Sequence, residues 1–305
     1  MIIQEKWYGR LGNNIIQLVN ILHIALYYKY HIKLLKHSLI NTAYIVDYIN
    51  KTIYKNINSA IVTDSFNFFY RDKIKNINLE AFDKNKDIVY NILKNALIIK
   101  SNDVNPLSEN DIVIHIRSGD IFSSRPHPMY IPPPLSFYQK IIDNNNFTNI
   151  IIICEDKINP VVNKLLELYP NSIYNKNTLI EDIKIILSAK QIICSVGTFI
   201  PALCLLSNNI KIIYNCLNNY IDDKIFIYTD LPITNLYTKE LNNYYKQMTP
   251  WKNNKIQRRL MLNYDINEQK NQILTKKRCK VQHIYHIIMV IIIIIIIIII
   301  IKLFF

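Results

Sequence analysis

Glycine is nearly missing. At ordinary usage of about 7%, a chain of this length would carry about 21 glycines. The 305 residues hold 4: Gly9, Gly12, Gly119 and Gly197. Ile, Asn, Lys and Tyr fill the sequence, as AT-rich coding produces, and that bias strips out Gly and Arg. A glycine that persists against it marks a position where no Cβ fits, at positive φ or close to a ligand. All four fall in three short segments, GRLGNN at 9–14, HIRSGD at 115–120 and SVGTF at 195–199.

Other absences narrow the class. The 5 cysteines are odd in number and show no CxxC spacing. Cys154, Cys194 and Cys204 sit in apolar runs, which favours reduced core thiols over a disulfide framework. The formal charge of +13 is spread over scattered lysines, and no basic block interleaved with aromatics precedes Lys276. No nucleic-acid-reading module is visible, so no nucleic-acid partner is expected. Residues 1–8 are interrupted by Glu5 and Lys6, which argues against a signal peptide or an N-terminal anchor. The glycines of GRLGNN are two residues apart, so this is not the GxGxxG of a dinucleotide site. No D-x-D occurs, and with it the usual aspartate pair for a divalent cation on a diphosphate is missing.

What is present is an alternation of strands and helices. A strand at 2–5 leads through GRLGNN into a helical pattern of apolar residues from Ile15 to Leu26. That geometry aims backbone N–H groups at an anion or sugar; an ordinary helix start capped by Asn13 or Asn14 fits it too. Residues 33–100 carry little signal, and 101–110 read as a linker. The run Ile112–Val113–Ile114 then forms a buried strand that ends in His115, Arg117, Ser118, Gly119 and Asp120. A guanidinium there can fork two hydrogen bonds onto phosphate, where ligands of parallel sheets bind. The prolines at 126, 128 and 132–134 make a stiff loop presenting Arg125, His127 and Tyr130. Helices over 135–143, 160–169, 180–189 and 200–206 alternate with strands over 150–154, 191–195 and 210–214. This order implies a parallel α/β sheet with Ser195, Gly197 and Thr198 at a second strand end.

The chain divides on this reading into an α/β lobe at 1–105, a second α/β lobe at 106–245, a polar basic linker at 246–285 and an apolar tail at 286–305. The tail's apolar run from 287 to 301 falls short of the ~20 residues of a spanning helix. With Lys302 snorkelling and 303–305 added, it approaches that length. A membrane anchor through 287–305 and an aggregation-prone appendage both fit. The KKRCK run at 276–280 would keep the body on the cytoplasmic side. The protein is therefore expected in the cytoplasm, or on a membrane with its body facing the cytoplasm.

Taken together, the three glycine-bearing segments resemble the α-1,2-fucosyltransferase family, glycosyltransferase family 11, and its fucosyltransferase relatives. GRLGNN resembles that family's N-terminal GxLGNQ segment. HIRSGD is similar to its HxRRxD donor motif, matching at His115, Arg117 and Asp120, and SVGTF to its third motif. The resemblance spans roughly residues 7–215. It implies a GT-B-like fold of two Rossmann-like lobes with parallel sheets, acceptor on the first lobe and donor on the second. It also implies inverting, metal-independent transfer from GDP-fucose to a glycan hydroxyl, with no cofactor. Arg117 would neutralise the leaving β-phosphate, supported by His115 and Asp120. Gly9, Arg10, Gly12, Asn13, Ser118, Gly119, Ser195, Gly197, Thr198 and Phe199 would line the donor.

Two departures keep other readings open. Ser118 stands where the family has a second Arg, and Asn14 where it has Gln. A glycosyltransferase using another nucleotide sugar, and an inactive membrane-attached descendant, are the alternatives. General-base candidates (Asp64, Glu155, Asp156) rest on residue type alone, and a dissociative transfer needs none. The acceptor, the linkage and the oligomeric state are not written in the sequence.

Overall fold

The structure is a computed structural model that describes residues 1–53, 61–62, 68–69, 79–216, 233–235 and 239–266. The first unit begins with β1 (Ile2–Ile3), α1 (Leu11–Tyr28), β2 (Ile32–Lys33) and α2 (Thr42–Thr52), followed by β3 (Ile61–Val62) and α3 (Leu79–Ala96). Its sheet is parallel, in the order β2-β1-β3. Helix α1 carries a polar stripe of Asn14, Gln17, Asn20 and His23 beside its apolar positions, and the stripe is buried with them. The helix packs on α2, α3 and on a helix of the second unit, and buries fourteen of its residues. It starts at Leu11, before the expected start, so Asn13 and Asn14 lie in the first turn. The cap position is Arg10, in extended backbone and without a side-chain cap.

The second unit runs β4 (Asp111–His115), α4 (Leu135–Asp143), β5 (Asn149–Ile153), α5 (Pro160–Leu168), β6 (Ile173–Tyr174) and α6 (Leu179–Ser188). It continues with β7 (Gln191–Cys194), α7 (Phe199–Leu206), β8 (Ile212–Asn215), β9 (Ile233–Asn235), α8 (Lys239–Met248) and α9 (Lys255–Asn263). Local signals explain several boundaries. Asn159 caps α5 with Pro160 just inside, and Thr178 and Glu181 form a capping box on α6.

All neighbours in the second sheet are parallel, in the order β6-β5-β4-β7-β8-β9. The chain builds outward from β4 in one direction, then returns to build outward in the other. That reversal makes a switch point between β4 and β7, where a crevice opens beyond the carboxyl ends of the strands. Strand β4 is buried on both faces, as a central parallel strand must be. Ile112 and Ile114 join the core under α4, α5 and α9. Val113, on the other face, joins a core shared by α1, α3, α6 and α7. The two units therefore share one apolar layer.

Residues 246–266, expected within a polar linker, instead complete α8 and form α9, which packs on α4 and α5. Met248, Trp251, Met261 and Ile266 are buried there, and Trp251 Nε1 donates to the Ile121 carbonyl at 2.6 Å. Sparse apolar residues at helical spacing among many Lys, Asn and Gln carry this contact, and such a pattern reads as polar by composition. Among the described residues no helix is long and apolar enough to cross a membrane. The KKRCK run and the isoleucine tail lie outside the described residues.

Candidate active site

Four turns meet at the switch point. One follows β4 and carries Arg117 to Asp120. A second follows β5 and carries Glu155 and Asp156. A third follows β7 with Gly197 and Thr198, and the fourth is the start of α1 with Arg10 and Asn13.

The turn after β4 is fastened to the turn after β5. Ser118 accepts a hydrogen bond from the Asn159 N–H at 3.0 Å and bonds to the Asp156 carboxylate. Asn159 Nδ2 donates to the Arg117 carbonyl at 2.9 Å, while its Oδ1 caps α5. Ser118 is thus buried, and its hydroxyl is engaged inside the protein instead of facing a ligand. Gly119 completes the turn at φ +57, and a Cβ there would come within 2.7 Å of Glu155 Oε2.

Arg117 gives two hydrogen bonds to Asp120, Nε to Oδ1 at 3.2 Å and Nη2 to Oδ2 at 2.7 Å. Its Cζ lies 4.1 Å from the centre of the Tyr130 ring, so the guanidinium is held between a carboxylate and an aromatic face. Arg10 reaches the same place from the first unit. Its Nη2 is 3.4 Å from Asp120 Oδ1, and its Nη1 is 3.1 Å from Glu155 Oε2. Arg117 is mostly shielded, with its side chain 17% exposed, whereas that of Arg10 is 66% exposed. Exposed ion pairs of the second kind contribute up to about 1 kcal/mol. An anionic ligand can displace them at little cost.

The electrostatics follow from this crowding. Burial works against the charge on Asp120, yet hydrogen bonding to Arg117 and the fields of Arg117 and Arg10 hold its carboxyl below the ordinary range. Burial, then Arg117 and Arg10, push the His115 imidazole from 6.5 down to about 3. His115 is therefore neutral at any ordinary pH. Its ring lies 5.7 Å from that of Phe199.

The turn after β7 closes the site. Gly197 adopts φ +119, and a Cβ on it would stand 2.5 Å from Arg117 Nη1. Thr198 donates from Oγ1 to Asn13 Oδ1 at 2.6 Å, joining the two units directly. Thr198 also sits at the cap position of α7 without a side-chain cap, which leaves that helix start without side-chain acceptors for its first amides.

Of the residues singled out by the sequence, Arg10, Asn13, Arg117, Gly119, Asp120, Gly197 and Thr198 converge here, with His115 and Phe199 packed behind them. Gly9 precedes Arg10 at the exposed entry to α1. Gly12 and Ser195 are buried. Gly12 lies where α1 meets the backbone of Thr198 and Phe199, and Ser195 lies beside Tyr138. Asp156 is tied to Ser118 and to the Ile158 N–H at 2.9 Å. Asp64 is outside the described residues. Glu155 is the general-base candidate that faces the site, and Asn159 has no motif that would have revealed it. Tyr130 stood out from the proline-rich loop, where ligand contact and simple packing were both open, and its ring lies against Arg117. Glu155 could be placed only once β5 was known to neighbour β4. Among the described residues, no three His, Cys, Asp or Glu side chains are grouped as metal ligands.

No protein-family model matches the sequence, and no curated protein matches it. Among solved structures, the chain is similar to POFUT1 in complex with GDP-fucose in two crystal forms. The TM-scores are 0.41 and 0.39, at 11% and 12% identity, covering 70% and 68% of this chain and 97% and 96% of that one. It is also similar to E. coli ADP-heptose lps heptosyltransferase II, with a TM-score of 0.34 at 10% identity, over 77% of this chain and 88% of that one. Likeness at that level bears on neither reaction nor substrate; the side chains at the switch point do.

Proposed function

We propose that this protein is a glycosyltransferase of GT-B-like organisation that moves fucose from GDP-fucose to a glycan hydroxyl, with inversion and without a metal. The observation that carries the reading is the position of Arg117. It stands at the switch point of a six-stranded parallel sheet, facing a glycine turn whose missing Cβ leaves its guanidinium room.

Breaking the glycosidic bond of a nucleotide sugar leaves negative charge on the β-phosphate oxygen. A preorganised guanidinium aimed at that oxygen lowers the barrier, and removing such a donor typically costs about 10²–10³ in rate. Asp120 and Tyr130 fix Arg117 in place before substrate arrives. Arg10 brings a second guanidinium to the same carboxylate, which offsets the cation absent at Ser118. Thr198 and the start of α7 would receive the nucleotide. Neutral His115 adds no third positive charge beside the two arginines, and packs against Phe199. Glu155 would take the proton of the acceptor hydroxyl once Arg10 turns to phosphate, a role its ion pair with Arg10 at the switch point supports.

Calorimetric titration of GDP-fucose into the full chain in EDTA tests this, with Arg117→Ala alongside. Micromolar binding that disappears in the variant is expected. A folded protein that binds neither GDP nor GDP-fucose would overturn the reading. GDP-fucose binding that requires an added divalent cation would overturn its metal-independent part. Binding of a different nucleotide sugar in preference to GDP-fucose would replace fucose as the donor.

A further inference from the structure

A second cleft lies away from the switch point, where the two units meet at the far end of α7. It has a volume of about 300 Å³ and is walled by α3, by the 3₁₀ turn Ser101–Asp103 and by Asn208 beyond the C-terminus of α7. Eight helical residues, about 12 Å of rise, separate it from the Thr198 turn. Every residue that lines it has a polar side chain, although the lining surface itself mixes polar and apolar atoms. Asp87, Tyr90, Asn91, Lys94 and Asn95 recur at three- and four-residue spacing, so one face of α3 presents them together.

The wall is held in shape by its own hydrogen bonds. Lys94 Nζ donates to Asn208 Oδ1 at 2.7 Å, Asn208 Nδ2 donates to Asn102 Oδ1 at 3.0 Å, and the Asn208 N–H donates to Ser101 Oγ at 2.9 Å. The ion pairs among the described residues include neither Lys94 nor Lys100. Burial lowers the Lys94 pKa, with Asp87 opposing it, so this ammonium is partly stripped of water and lacks a full counter-charge. Side-chain amides offer donors and acceptors together, as sugar hydroxyls require, and two ammonium groups supply the charge for an oxyanion. A cavity of this size holds a small molecule.

We propose that this cleft is a second ligand site, separate from the nucleotide-sugar site, for a small anionic sugar such as a sugar phosphate. Its charge is met by Lys94 and Lys100 and its hydroxyls by the amides around Asn208. The proposal does not depend on the donor assigned to the switch point.

The test is calorimetry of the full chain with glucose 6-phosphate, and with glucose as the neutral arm. Saturable binding of glucose 6-phosphate is expected, weakened at least about tenfold by Lys94→Gln and by Asn208→Ala, and unchanged by Arg117→Ala. Gln keeps the helix propensity of Lys, so a thermal midpoint near that of the parent shows that the fold is retained. Equal binding of glucose, no binding of glucose 6-phosphate, or binding lost in Arg117→Ala but kept in Lys94→Gln would each overturn it.

Discussion

The Nη1 atom of Arg117 stands 2.5 Å from the point where a Cβ on Gly197 would be, so the guanidinium and the SVGTF turn occupy one space. Gly197→Ala must displace one or the other. An alanine at φ +119 also carries backbone strain of about 1–3 kcal/mol. The expected result is a folded protein with a lower thermal midpoint and donor affinity reduced at least about tenfold. Circular dichroism and calorimetry on the same sample check both parts.

Arg117→Lys is expected to fare little better than Arg117→Ala. The two hydrogen bonds to Asp120 and the contact with Tyr130 need a planar fork, and an ammonium provides neither. A loss of about 10²–10³ in turnover for both variants is expected from steady-state rates. Near-normal activity in Arg117→Lys would mean that a point charge suffices.

Gly12→Ala tests the seam between the units, at the backbone that carries the Thr198 turn. Its new Cβ would lie 2.7 Å from Phe199 N and from the Thr198 carbonyl carbon, which are backbone atoms that cannot swing away. Helices α1 and α7 would have to part, at a cost of about 1–3 kcal/mol for an overpacked core. Urea unfolding should show the loss as a lower midpoint.

Stability should decline on the acid side of neutrality. His115 stays neutral in the folded chain down to about 3 but takes up a proton near 6.5 when unfolded. The unfolded state therefore binds more protons between those values. The stabilisation is complete above pH 6.5 and falls away as pH drops toward about 3. Asp120, with its carboxyl held low, contributes in the same direction, present above the ordinary carboxylate range and lost as pH falls through the depressed value. Its half-exposed position keeps that part small. His115→Gln should flatten the slope of urea midpoint against pH between 6.5 and about 3, whereas Asp120→Asn should leave the upper part of that slope unchanged.

Much of the second unit was legible because β4, β5, β7 and β8 are short, mostly apolar runs bounded by polar turns. The helix at 135–143 is found within its expected limits, and those near 160, 180 and 200 within one residue at each end. Strand β6, two residues long, has too few positions to show a pattern. Helix α9 was hidden because its buried side chains, Gln257 and Met261, are few and mixed in polarity.

At the site, residue type and glycine scarcity together marked Arg117, Asp120, Gly119 and Gly197, because both glycines hold a positive φ that side-chain-bearing residues rarely adopt. They could not mark Arg10 as the partner of Asp120, 110 positions away in sequence, nor bury Ser118 behind Asn159. Those facts depend on β5 lying beside β4 and on α1 packing against α7. Local sequence determines which turns form, since backbone sterics act over a few residues. Which turns come to face one another is decided by the order of strands in the sheet and by the apolar layer the two units share, and both arise from contacts spread over the whole chain.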